Sequence, residues 1–145
     1  MNIHWHPYLV HFPIALMITS CGFYLAWIFT HRKELHTFSQ YLLGLSILSA
    51  FFAGISGEKA AVLQEPDLTQ DVLALLGRHE LFANLAIWGG IATFIIWIFG
   101  MNRMTMDSGF KWVILILLIA LVVFILFTGQ LGGVLVYNHG MGISP

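Results

Sequence analysis

Charge is scarce in this chain. Only 9% of its 145 residues are Asp, Glu, Lys or Arg, while 59% are hydrophobic and the mean hydropathy is +0.86. Soluble domains carry about a quarter charged residues, so this composition leaves too little polar surface to face water and points to an integral membrane protein. A net charge of -1 provides no basic footprint for nucleic acid and no polybasic tail for a polyanionic partner.

Cysteine is nearly absent as well. Cys21 stands alone inside an apolar run, which excludes an internal disulfide and fits a small core or lipid-facing side chain. No Asp, Glu, Lys or Arg falls in the middle of an apolar run, which argues against ion or proton transport across the bilayer. No Ser-His-Asp or Cys-His spacing singles out a nucleophile. The first apolar stretch has no Lys or Arg before it and no small-residue cleavage pattern, so it reads as a retained helix and not as a signal peptide.

Long apolar runs are what the chain has instead. Four of them, near Val10 to Phe29, Phe38 to Ile55, Leu81 to Met101 and Trp112 to Val136, are long enough to cross about 30 Å of hydrocarbon at roughly 1.5 Å per residue. The connection His31 to Thr37 holds Arg32 and Lys33, and Asn102 to Lys111 holds Arg103 and Lys111. The connection Gly57 to Glu80 is longer and acidic, with Glu58, Glu65, Asp67, Asp71 and Glu80 against Lys59 and Arg78. Four of the six basic residues thus fall on one side, which the positive-inside rule makes cytoplasmic. Both termini and the acidic connection then face outward. Trp27, Trp97 and Trp112 are expected in an inner aromatic belt, and Trp5, Tyr8 and Tyr137 in an outer one.

Within the acidic connection, Pro66 can open a short helix and Gly77 can close it, with Leu68, Val72, Leu75 and Leu76 as its apolar stripe. This helix is expected on the outer surface of the bundle. The expected fold is therefore all-α. A single domain over residues 1–145 forms an integral membrane four-helix up-down-up-down bundle with both termini on the outer side. Gly44, Gly54, Gly89, Gly90, Gly129, Gly132 and Gly133 allow close helix contact, and they also make room for a flat cofactor.

The candidate site consists of histidines. His4, His6, His11, His79 and His139 all sit at the outward ends of the apolar runs. Imidazoles gathered in a bilayer protein are costly to bury and are most simply explained by a metal or haem. His11, within VHFPIAL, is expected to face the bundle interior. His6 and His11 are five residues apart, which on a helix is about 140° around the axis and roughly 7.5 Å along it. They point into different seams, whereas a compact zinc site prefers ligands at i and i+4 or on converging loops.

Two b haems with bis-histidine ligation suit this split: His11 pairs with one of His79 and His139, and His6 with the other. One haem, with the remaining histidines at a quinone or metal site, is also compatible. Lys59 and Arg78, the outward basic residues, can meet haem propionates or serve as snorkelling interfacial anchors. Glu80 and Asn84 can hydrogen-bond a ligand imidazole. His4 is expected to be solvated, and His31 and His36, beside Arg32 and Lys33, are accounted for by headgroup contacts.

The opening HPYLVHFPIAL and the closing GGVLVYNHGMG, with an ISG step ending the second apolar run and a histidine opening the third, resemble the signature of a family of predicted bacterial membrane proteins that is known only as a domain of unknown function. The likeness spans nearly the whole chain. It matches the family's histidines to His6, His11, His79 and His139, and Ser56 stands where relatives often have Thr before glycine. The resemblance implies the bacterial inner membrane. Relatives are sometimes joined to Rieske-type iron-sulfur domains or encoded beside cytochromes, which implies a redox role by association.

Two function classes stay open. In one, the chain is a small membrane b-type cytochrome with one or two haems near its outer face, passing electrons between a quinone pool or membrane redox complex and an outward acceptor such as a cytochrome or Rieske-type partner. It is then an electron-transfer protein more than a stand-alone enzyme. In the other, the histidines bind Cu, Zn or non-haem Fe for sensing or catalysis, or belong incidentally to a structural subunit. Association of copies of the chain into a homo-oligomer is left open. A spectrum of the purified protein discriminates the first class from the second.

Overall fold

The computed structural model describes residues 6–64, 68–103 and 108–141. His4, Trp5, Glu65, Pro66 and Asp67 lie outside the described residues. Five helices follow one another: α1 (His6–Leu9), α2 (His11–Thr30), α3 (Lys33–Gln64), α4 (Gln70–Arg103) and α5 (Ser108–His139). Helices α1 and α2 make one span, broken at Val10. Pro13 has no N–H to donate to the carbonyl of Leu9, so the helical ladder lapses there, and the amide of Val10 bonds back to His6 at 3.2 Å.

Four spans long and apolar enough to cross a membrane result. α2 packs on α3 and α4 on α5, and contacts of α2 with α5 and α3 with α4 close the ring. In an isolated helix the first N–H and last C=O groups lack partners, and the turns here supply them. His31 closes α2 in the left-handed conformation, φ 54°, its amide on Trp27 at 2.8 Å. Gly140, φ 66°, closes α5 with its amide on Val136 at 3.0 Å.

The core, around Met17, Tyr24, Leu43, Trp97, Ile114, Leu118 and Leu121, fills the axis of the bundle. Buried serines tie α2 to α3. Ser20 Oγ donates to the Ser39 carbonyl at 2.8 Å, Ser39 Oγ donates to that of Ser20 at 2.7 Å, and Ser46 donates to Pro13 at 2.9 Å. Large apolar side chains such as Phe29, Tyr41, Phe52, Trp88, Phe99 and Ile116 point outward. In water such a surface would be a liability; in a bilayer it is the lipid-facing wall.

Three expectations need correction. The separate surface helix does not exist, because α4 runs unbroken from Gln70 to Arg103. An interior glycine costs a helix only about 1 kcal/mol, and Gly77 sits within it, exposed. The stripe is real but packs inward: Val72 is buried with Leu135 and Met141, and Leu68, Leu75 and Leu76 pack around them. Second, Trp27 and Trp97 are not belt residues, being 8% and 1% exposed. Trp112 does face outward, with Lys111 Nζ 5.9 Å from its ring centre. Third, His36 is buried and is not a headgroup contact.

Candidate functional site

α1 and α4 stand at opposite corners of the bundle, and each sends one imidazole toward the axis at the end that carries the N-terminal helix. The rings of His6 and His79 meet with centroids 6.3 Å apart and planes at 86°. His6 Nδ1 lies 2.9 Å from the Ala53 carbonyl and 3.1 Å from Ser56 Oγ. His79 Nδ1 lies 3.0 Å from the Thr128 carbonyl. A carbonyl can only accept, so each Nδ1 carries the proton and donates it. In its neutral form each ring therefore keeps a lone pair on Nε2.

The two anchors share one local construction. Each histidine binds the carbonyl of a helical residue and lies over the glycine four positions later, Ala53 with Gly57 and Thr128 with Gly132. A Cβ on Gly57 would come within 2.7 Å of His6 Cε1, and one on Gly132 within 3.1 Å of His79 Cε1. The missing side chains are what let the rings reach the helix backbones. Ser56 Oγ also donates to the Ala53 carbonyl at 2.7 Å, and Thr128 Oγ to that of Phe124 at 2.9 Å.

The other expected ligands stand apart. His11 is exposed on the outer side of α2 and does not face the interior. Once His6 takes the inward position, the turn between them carries His11 away from the axis. His139 is exposed at the end of α5. Among the described residues no group of three or more His, Cys, Asp or Glu is placed to hold a metal ion. The structure thus brings together two of the four expected histidines. Glu80 and Asn84 are exposed, and the imidazoles take helix carbonyls as partners instead. Lys59 and Arg78 are exposed beside the pair in sequence, two residues after Gly57 and one before His79.

A family model described as "Predicted membrane protein (DUF2231)" matches residues 2–145. The chain belongs to this family of predicted membrane proteins. No curated protein and no solved structure matches it. The match covers His6, His79 and both glycine-bearing anchors of this DUF2231 member, so the pair is part of the domain and not of an appendage.

Two grooves run along the α3–α4 seam of the DUF2231 bundle, each of about 320 Å³. One lies near the histidine pair and includes Glu58, Leu73, Leu76, Gly77 and Glu80. The other is apolar and lies mid-bundle, between Gly44, Ile47 and Phe51 on α3 and Ile91 and Phe94 on α4. His36, at the opposite end, was expected at a headgroup and is instead buried against Trp97. Its neighbour Trp97 is distant in sequence, and no local pattern marks their meeting.

Proposed function

We propose that this membrane protein is a small b-type cytochrome that holds one haem through the imidazoles of His6 and His79. The pair itself carries the reading. Two imidazoles from opposite corners of the bundle each commit Nδ1–H to a helix carbonyl and keep Nε2 for a metal, the arrangement metal-ligating histidines adopt. Ligand count favours haem over a bare ion. Zinc takes three or four donors from the protein, and no third candidate joins this pair among the described residues. A haem brings its own four nitrogens and asks the protein for axial ligands alone.

Spacing agrees with that count. The two rings are near neighbours, with centres 6.3 Å apart, and both would offer Nε2 to a shared iron. The donor set therefore fits the group. When bound, the haem supplies one-electron redox chemistry. The chain's part is to fix the tautomer of both imidazoles through the Ala53 and Thr128 carbonyls and to hold the two rings close together. Lys59 and Arg78 are available for the propionates.

Arg32, Lys33, Arg103 and Lys111 at the far end favour a cytoplasmic orientation there, which supports a periplasmic position for the pair in a bacterial inner membrane. Electrons would then pass between a quinol or membrane redox complex and an outward cytochrome or Rieske-type acceptor.

The test is the visible spectrum of the detergent-purified full chain, air-oxidised and then dithionite-reduced, with metal analysis of the same sample. A sharp Soret band and a reduced spectrum of the bis-histidine type are expected. A colourless protein carrying stoichiometric copper, zinc or iron would replace the haem with an ion. A protein that takes up neither, even when incubated with hemin, overturns the reading.

A further inference from the structure

At the end remote from the His6–His79 pair, His36 on α3 is 8% exposed and sits among three aromatic rings. Trp97 on α4 donates its Nε1–H to His36 Nε2 at 3.1 Å. The rings of Trp27 and Tyr24, both on α2, lie 4.7 and 6.1 Å from His36 between centroids, and that of Trp97 lies at 5.2 Å. Tyr24 in turn donates its hydroxyl to the Lys111 carbonyl on α5 at 3.1 Å. The imidazole therefore joins three spans directly, and Tyr24 links them to the fourth.

The chemistry of this bond is one-sided. An indole N–H can only donate, so His36 must present a bare Nε2 and carry its proton on Nδ1. An imidazolium has two N–H groups and no acceptor. Protonation of His36 therefore abolishes the bond and leaves the buried Trp97 N–H without a partner.

We propose that His36 and Trp97 form a protonation-controlled latch on the α3–α4 seam, closed while His36 is neutral and released when it takes up a proton. The seam is also incompletely packed. The apolar groove along it opens toward lipid, and Phe94, one of its walls, lies one helical turn from Trp97. Release at the latch frees the end of α3 against α4 and widens that groove.

The groups around His36 leave it free to act as a switch. From α2 it meets the Tyr24 phenol, already engaged with Lys111, and the uncharged Trp27. From α4 it meets Trp97. On α5 the ammonium of Lys111 is directed to the Trp112 ring. On its own helix Lys33 and Glu34 are exposed. Among the described residues no carboxylate faces the imidazole to hold a charged form in place. The faces of Trp27 and Tyr24 can still take an imidazolium by cation–π attraction, so the protonated state is a second arrangement and not a ruined one.

The test is intrinsic tryptophan emission of the full-length protein in nanodiscs, followed from about pH 8 to pH 5, the range in which imidazoles titrate. Wild type is expected to show a reversible one-proton change in emission as Trp97 loses its acceptor. His36→Gln supplies a carbonyl acceptor that does not titrate, so the change should vanish while emission stays at its alkaline value. An equal response in wild type and His36→Gln, or none in wild type, overturns the proposal. A measurement that needs no His36 variant stands beside it. Nitrogen-15 spectra of labelled histidines should show at alkaline pH an Nδ1–H imidazole whose Nε2 resonance shifts in Trp97→Phe. Absence of any such histidine also overturns the latch.

Discussion

His6 and His79 meet across the bundle with ring centroids 6.3 Å apart and planes at 86°, each with its Nδ1–H spent on a helix carbonyl and its Nε2 left over. Nothing in the packing of four apolar helices requires two neutral imidazoles to meet there. The apolar side chains that fill the rest of the axis would have served the fold without desolvating two polar rings.

Removal of either ring separates ligands from bystanders. His6→Ala and His79→Ala should each abolish haem binding without preventing membrane insertion, whereas His11→Ala and His139→Ala should retain haem at the wild-type ratio. Absorbance at the Soret maximum per mole of purified protein measures this. Loss of haem in His11→Ala with retention in His79→Ala would assign the ligands differently.

The glycines under the two rings should be intolerant of one methyl group. Gly57→Ala brings a carbon within 2.7 Å of His6, and overpacking of this kind costs about 1–3 kcal/mol. The variant should lose haem or shift its spectrum. Gly133→Ala, next to the second anchor but with nothing within 4 Å of the added carbon, should behave as wild type.

Ring orientation carries its own signature. Axial imidazoles with perpendicular planes, as in the 86° angle here, should give a highly anisotropic low-spin ferric signal in low-temperature electron paramagnetic resonance. A rhombic signal of parallel planes would show that the rings turn on binding.

The reciprocal Ser20–Ser39 bonds should stabilise the α2–α3 pair independently of any cofactor. Hydrogen bonds between membrane helices average about 0.6 kcal/mol and reach about 1.7. Ser20→Ala and Ser39→Ala should each destabilise by about that amount in denaturing-detergent titrations. Their double variant should cost less than the sum of the two, because each single change already breaks part of the shared pair.

How far the sequence reaches is clear from individual residues. The four spans and their alternation were legible because bilayer thickness imposes a length on apolar runs, and no other signal is needed. The unbroken start of α4 was not, because Pro66 and Gly77 read locally as helix boundaries, while burial of Val72 against Leu135 and Met141 depends on chain far away. His6 and His79 were legible as candidates from type and depth. The outward turn of His11 was not, since the break at Val10 sets which way each ring turns. Burial of His36 was hidden for the same kind of reason: Arg32 and Lys33 nearby in sequence suggest a headgroup, and its actual partner is Trp97.

The most direct test of the central claim is the haem-to-chain ratio of the detergent-purified protein, measured as pyridine haemochrome against quantitative amino-acid analysis. One pair of ligands predicts one haem b per chain in the wild type and none in His6→Ala. Two haems per chain would contradict the single-pair site, and a wild type that binds none after incubation with hemin would contradict the cytochrome itself.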